Sequence, residues 1–580
     1  MKKSLVLLLC LVMVASAFLA GCSPKEDAVT ETTTAPASEA TTEAPMVEAE
    51  PSGTLVVGIT EASGNFNPHY YSSAYDGYVV DMVFEGLIAR NFEGEYEGSV
   101  ADSWEYSEDG KSITFNMKKD RVFSDGQPLT ANDVVFSYLV LADPSYTGRY
   151  SSTVKDMVGY DEYYAGESDT FSGVEAIDDY TVKFNFKEAL RVNFANCGSA
   201  ILPAHYYGKD FAPGNTASVE AITTDAMGSG PYVVSQFKEK ELVYLERNPL
   251  YVGDDYMVKE IILKFVDQTT DIVELTSGGV DLLAGVIDPK KISEARNAGF
   301  SINSYNRSGY GYIKTNCEAG PTADVKVRQA LYYSFNVKEF VNSYYYDADT
   351  DQVLAVTQYH PFSQISWAID DALLDSMIEY DFDLDKAKAL LDEAGWLVGA
   401  DGIRYKDGQP LELKIAAMPD HDILATLIPM WERDWGQGLG VKLTVAYLEF
   451  NTILDYVIYN SDANVDNWSL FFLATSITTP DPHSLYTTFH SDYIGSGMDN
   501  TSRYSNPKVD ELLDQAKAIM DIEEAKPVYA EIAKILNEEA VMMPVYANTY
   551  FDLYATKLVD FKTSSLYNWV SALKDAKIVE

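Results

Sequence analysis

SVADSWEYSEDGKSITFNMKKDRVFSDGQPLTANDVVFSY, Ser99 to Tyr138, carries two tight-turn signals and one clear strand. Asp109-Gly110 lies between DSWEYS and SITFNMK, where a residue pair that tolerates positive φ closes a hairpin. SITFNM runs apolar and β-branched, as a strand does. The same turn excludes a phosphate loop. Gly110-Lys111-Ser112 would supply its last three positions, but the first glycine is replaced by Glu105.

Outward from that stretch the signals keep mixing. TLVVGI, from Thr54, reads as a strand, and Asp125-Gly126, Asp401-Gly402 and Asp407-Gly408 read as turns. Near the end a helix is marked by Asn506 as cap and Pro507 in the first turn, with Val509, Leu512, Leu513, Ala516, Ile519 and Met520 as its apolar stripe. Another begins near Asp383, buries Leu384, Ala387, Leu391 and Ala394, and stops at Gly395. There is no internal repeat. Strands and helices in this mixture predict an α/β protein with lobes and a cleft.

Composition narrows the function classes. The 580 residues carry 88 Asp and Glu against 43 Lys and Arg, a formal charge of −45, which argues against nucleic acid because phosphates need basic surface. HExxH, CxxC and GxSxG are absent, so the common zinc, redox and hydrolase signatures are missing. Asp381, Asp383 and Asp385 alternate like a calcium loop, but Lys386 takes the place of its turn glycine and Asp392 that of its closing glutamate. His483 and His490 have no cysteine nearby, and loop composition favours ordinary histidines over a metal pair. No cofactor and no metal are expected. Cys197 and Cys317 are far apart and read as buried free thiols, with a disulfide left open.

At the N-terminus Lys2 and Lys3 precede an apolar run from Leu5 to Val14 and small residues at Ala15 to Ala17, the layout of a secretory signal. Leu19-Ala20-Gly21-Cys22 resembles the lipobox of bacterial lipoproteins, which implies cleavage before Cys22 and acylation of its thiol; ordinary secretion, with a cut after Ala17, is the alternative. Acyl chains contribute about 0.8 kcal/mol per buried CH₂, so two or three hold a soluble body on a membrane. The Thr, Glu, Pro and Ala-rich segment that follows has too little apolar surface to order itself and reads as a solvated stalk.

Along the body, seven segments resemble, in order, the bacterial extracellular solute-binding proteins of family 5, which serve peptide and nickel importers of the ABC class. They are FNPHYYSSAYDGYVVDMVFEGLI from Phe66, the Ser99–Tyr138 stretch, GSGPYVVSQF from Gly228, LERNPLYVG from Leu245, VRQALYYSFNVKEFV from Val327, DLDKAKALLDEAGW from Asp383 and SNPKVDELLDQA from Ser505. Gly228 and Gly230 are expected to allow a backbone bend and Pro231 to fix a strand entry, and the Asp-Pro of TTPDPHSL to make a rigid turn before a helix.

The resemblance implies a two-lobed clam of discontinuous lobes with an inserted domain. Residues 1–21 would be the signal and 22–53 the lipidated cysteine and stalk. Lobe I would join 54–93, 224–306 and 545–580, the inserted domain would fill 94–223, and the other lobe 307–544. Ligand would bind between closing lobes. Carried over by position, the site falls on Tyr71, Ser72, Ser73, Tyr75, Asn316, Trp468, Thr478 and Asp481, aromatics and hydroxyls that suit an enclosed polar ligand.

One departure bears on the ligand. Peptide-binding members hold the ammonium with an Asp where this chain has Thr478, and AAMPDHDILATL lacks the basic residue that would hold the carboxylate. The ligand is therefore expected to be a peptide or another polar solute, oligosaccharides included, that does not depend on a free α-amine. The implied protein is a monomeric, non-enzymatic binding lipoprotein on the extracytoplasmic face of the bacterial cell membrane, delivering solute to ABC permease subunits. A sensor or adhesion lipoprotein on the same fold is the alternative, and a secreted enzyme a lesser one.

The lipobox reading makes Cys22 the sole anchor. Cys22→Ala is expected to move the protein from the membrane to the soluble fraction; retention after a high-salt wash would refute it.

Overall fold

Leu55, Val57 and Ile59 alternate with more exposed neighbours along β1 (Ser52–Ile59), and all three are buried, which sets this strand at the centre of a core. The computed structural model describes residues 51–579 apart from 169, 420 and 478. The signal, Cys22 and the stalk lie outside the described residues, as does Thr478. No described helix is long and apolar enough to cross a membrane.

β1 belongs to a 12-stranded mixed sheet. Its other members in chain order are β2 (Tyr232–Lys238), β3 (Leu242–Arg247), β4 (Val258–Phe265), β5 (Leu282–Val286), β6 (Ser301–Asn306), β7 (Gly311–Thr315), β8 (Ala355–Thr357), β9 (Glu412–Ala417), β10 (Lys442–Tyr447), β11 (Leu470–Ala474) and β12 (Met542–Tyr554). The order across the sheet is β10-β9-β11-β7-β12-β5-β1-β4-β3-β2, with β6 and β8 also paired to β12. β1 is parallel to β4 and β5, and β9 is parallel to β10 and β11.

Strand β12 joins the two halves. Met542 to Tyr546 pair with β7 on one side, and Thr549 to Tyr554 pair with β6, so the strand runs unbroken across the boundary expected at 544/545. Each half has its own core: Leu55, Ile261 and Leu282 lie in one, Trp431, Trp435 and Leu413 in the other. The two tryptophan rings stack 5.0 Å apart.

The Ser99–Tyr138 stretch forms part of a separate four-stranded antiparallel sheet. Ala101–Tyr106 and Ser112–Met117 pair through the Asp109-Gly110 turn, where Gly110 adopts φ +68°. Gly126, Gly402 and Gly408 also take positive φ, as the turn reading requires. Helix Ala131–Ala142 backs this sheet, and its start is held by Asp133, whose carboxylate accepts from the Thr130 amide at 2.8 Å. Phe115, Phe123, Tyr138 and Phe184 fill its core.

The predicted helices form at Leu384–Glu393, capped by Asp383, and Pro507–Ala518, capped by Asn506. The second ends earlier than its apolar pattern suggested. Met520 lies past the last turn and is 51 % exposed, because the chain leaves the helix at Ile519. Asp381, the first of the alternating aspartates, pairs with Lys338 at 2.6 Å. Cys197 and Cys317 are free thiols in separate cores.

GSGPY bends at Ser229 and Gly230, as expected, and its glycines serve a second purpose. Neither Gly228 nor Gly230 takes positive φ. A Cβ on Gly228 would sit 2.1 Å from the Val83 carbonyl oxygen, and one on Gly230 2.6 Å from that of Met82, so the glycines let two backbones touch. Gly228→Ala is expected to cost roughly 1–3 kcal/mol, the range for overpacking. Urea unfolding should show a lower midpoint at unchanged slope; an unchanged midpoint would contradict the close approach.

Candidate functional site

The chain passes between the sheet halves twice, through the β6–β7 connection and through β12, and the space beside these crossings is open. A cavity of about 390 Å³ lies there. The first half contributes the end of β1 at Gly58 to Thr60, Tyr75 and Tyr78 from helix Ala74–Val83, and Trp569. The second contributes Tyr344, Phe450, Phe472 and Tyr546. Tyr78 meets Tyr75 and Trp569 edge to face at 6.2 and 5.1 Å. Burial pushes the Tyr78 hydroxyl well above the usual phenol range, so it acts as a neutral donor and acceptor.

Arg307 stands at the crossing. Its guanidinium lies 5.1 Å over the Tyr550 ring and donates to the Thr475 carbonyl at 2.8 Å, and its Nε has no partner among the described residues. Asp271, also on the lining, is paired with Lys291 at 3.0 Å.

A second cavity of about 370 Å³ opens beyond the end of β11. Arg90 and Tyr96, from the hairpin of Ile88–Arg90 and Tyr96–Gly98, face Tyr310, Tyr312 and Lys314 of the β7 segment and the loop from Thr475 onward. Lys314 is buried and donates to Thr501 Oγ1 at 2.7 Å. Burial pushes its ammonium down to about 8, with Asp499 opposing the shift. At neutral pH it is still charged.

The residues expected to form the site are divided by the structure. Tyr75 lines the aromatic cavity. Tyr71 packs on the Arg149 guanidinium at 4.8 Å and on Tyr150 at 5.8 Å, and the exposed Ser72 gives its carbonyl to Arg149. Ser73 caps helix Ala74–Val83, accepting from the Asp76 amide at 3.1 Å. Asn316 is fully buried: its amide donates to the carbonyls of Val465 and Trp468, and its oxygen accepts from the amides of Glu318 and Ala319. Trp468 lies in a small core against Phe471. Asp481 caps the turn Pro482–Ser484 and pairs with Arg191 at 2.8 Å. Burial alone would raise the Asp481 carboxyl; His483 and Arg191 outweigh it and hold it low.

Arg307, Lys314, Phe472, Tyr546 and Trp569 were not foreseen. Lys314 left one trace in the sequence, a charge inside GYIKT, where every other position but Tyr312 is buried and uncharged. Arg307 left none, since a loop arginine is ordinarily solvated.

The family description "Bacterial extracellular solute-binding proteins, family 5 Middle" matches residues 95–497. The oligopeptide-binding protein AppA of Bacillus subtilis is 25% identical over 557 residues, covering 95% of this chain and 94% of that one. The fold is similar to the AppA structure from Bacillus subtilis in complex with a nonapeptide, at TM-score 0.79 and 22% identity over 92% of this chain and 100% of that one. It is also similar to NikZ from Campylobacter jejuni in complex with Ni(L-His), at TM-score 0.77 and 22% identity over 90% and 99%. A two-lobed α/β architecture, a cleft beside two strand crossings and a match across most of the body agree: the chain belongs to the bacterial extracellular solute-binding proteins of family 5.

Proposed function

We propose that this protein is the substrate-binding component of an ABC importer, tethered through an acylated Cys22 to the outer face of the cell membrane. It captures a peptide or another polar solute between two lobes and hands it to the permease without altering it. The observation that carries this reading is the aromatic cavity between sheet halves that the chain crosses twice, through the β6–β7 connection and β12, an arrangement in which the walls can separate while each core stays intact. The similar structures in complex with a nonapeptide and with Ni(L-His) support a captured solute rather than a converted one.

Within the proposal, residues 54–93, 224–306 and 545–580 make lobe I, 94–223 the inserted domain and 307–544 the facing lobe, and the body works as a monomer. Tyr75 is retained as a ligand contact, while Tyr71, Ser73, Asn316, Trp468 and Asp481 hold the walls in shape. Closure then depends on contacts from the inserted domain to the facing lobe. Arg191 is the main one: besides Asp481 it lies near the Trp367 ring at 5.5 Å and reaches the Ala516 carbonyl at 3.4 Å. Lys517 and Asp156 pair at 3.0 Å beside it.

A solute that binds the folded protein alone stabilises it by RT ln(1 + [L]/Kd), about 2.7 kcal/mol at a hundredfold excess over Kd. The true ligand is expected to raise Tm by that linkage and to be recovered unchanged; product accumulating over hours would overturn the reading. Arg191→Ala should weaken ligand affinity by about tenfold or more, since it removes a contact made on closure. X-ray scattering should then show less compaction at saturating ligand, and a variant that closes as fully as the wild type would refute the role of Arg191.

A further inference from the structure

The second cavity is unusual for so acidic a chain. With 88 carboxylate residues in the sequence, no described Asp or Glu lines it. Its walls carry Arg90 and Lys314, the ring of His483, and the hydroxyls of Thr475, Ser476, Thr479, Ser484 and Thr488. The nearest acid in sequence, Asp481, is already neutralised by Arg191.

Lys314 is the decisive member. It is 6 % exposed and forms no ion pair among the described residues. An ammonium has three donors, and Thr501 accepts one of them; Tyr312 offers its ring at 5.4 Å. Other buried cations here are differently placed. Arg328 spends its donors on the carbonyls of Thr322, Ala323 and Glu539, and Arg404 on those of Leu439 and Trp396 together with Asp392. Those two tie segments together. Lys314 ties almost nothing and borders open space, at the cost of burying a charge. His483, whose Nδ1 lies 3.7 Å from the Asp481 carboxylate, is on the same lining.

We propose that this cavity receives a carboxylate of the captured solute, with Lys314 as its counter-charge and the hydroxyls of Thr475, Ser476, Thr479, Ser484 and Thr488 as additional donors. The inference rests on the solute-binding reading and narrows it to carboxylate-bearing ligands. The carboxylate belongs to a peptide, at its C-terminus or on an acidic side chain, or to an acidic sugar. An end of the site that pairs an anion has no use for an α-ammonium, which agrees with the absence of an acid there.

The test is calorimetry on the purified protein with matched pairs: peptides of three to nine residues as free acids and as amides, and galacturonate oligosaccharides with their methyl esters. In the wild type the anionic member of a binding pair should bind at least about tenfold tighter than its neutral twin. Lys314→Met should bring that ratio below about threefold, and Lys314→Arg should keep it. Ligand-free Lys314→Met should melt no lower than the wild type, because it loses an unpaired buried charge; a structural lysine would lower Tm. Equal affinity within the wild-type pairs, or a ratio that survives Lys314→Met, overturns the carboxylate assignment while leaving solute binding intact. A panel in which nothing binds and nothing raises Tm overturns both.

Discussion

Everything in this fold hangs on one strand. Met542–Tyr554 is hydrogen-bonded at its start to β7 and at its end to β5 and β6, so a single ladder holds two cores in register. A backbone pair of this kind fixes spacing along the strand, and at the crossing the buried Tyr546, packed on Tyr345 and Phe472, ties it to the second core. The cleft exists because the cores cannot merge across that ladder. The aromatic lining is what remains of two apolar faces that meet at a distance.

Buried charge divides into two kinds across the body. Asp76 is fully buried and accepts from the Ser63 hydroxyl and the Gly64 amide, which freezes the loop that leads into helix Ala74–Val83. Asp552, equally buried on β12, accepts from the Gly285 amide at 2.8 Å; burial raises it to about 6 against the pull of Thr563 and that amide. Both are consumed by the scaffold. Arg307 and Lys314 keep donors unspent, and both border space between the walls. In a low-dielectric site unspent donors carry a large desolvation cost, which the carboxylate proposed for Lys314 would offset.

Much of the scaffold could be read without coordinates because its signals are local. The turn glycines, the caps at Asp383 and Asn506, and the hairpin at Asp109-Gly110 depend on a few neighbouring residues and came out where they were expected. The end of the Pro507 helix did not, since Met520 was apolar in the right period but had no wall to face. Site residues were harder for the same reason. Asn316, Trp468 and Asp481 lie near the cleft in the family pattern, yet whether such a side chain points at solute or at its own backbone is decided by partners more than a hundred residues away, as with Arg191 and Asp481. GSGPY combines the two: the chain bends there as read, and its glycines also serve a contact with residues 82 and 83 that the sequence did not reveal.

The two free thiols carry a consequence for how the protein is made. Cys197 is sealed among the aromatics of the inserted sheet, where it donates to the Asn193 carbonyl and burial holds the thiol far from ionising. Cys317 sits in another core, and burial raises its thiol as well. Thiolate is the species that attacks a disulfide, so both sulfurs are poor partners for exchange once the chain is folded. Maturation of this body therefore requires neither an oxidant nor an isomerase, and its cysteines stay silent in an oxidising compartment that would recruit more exposed ones.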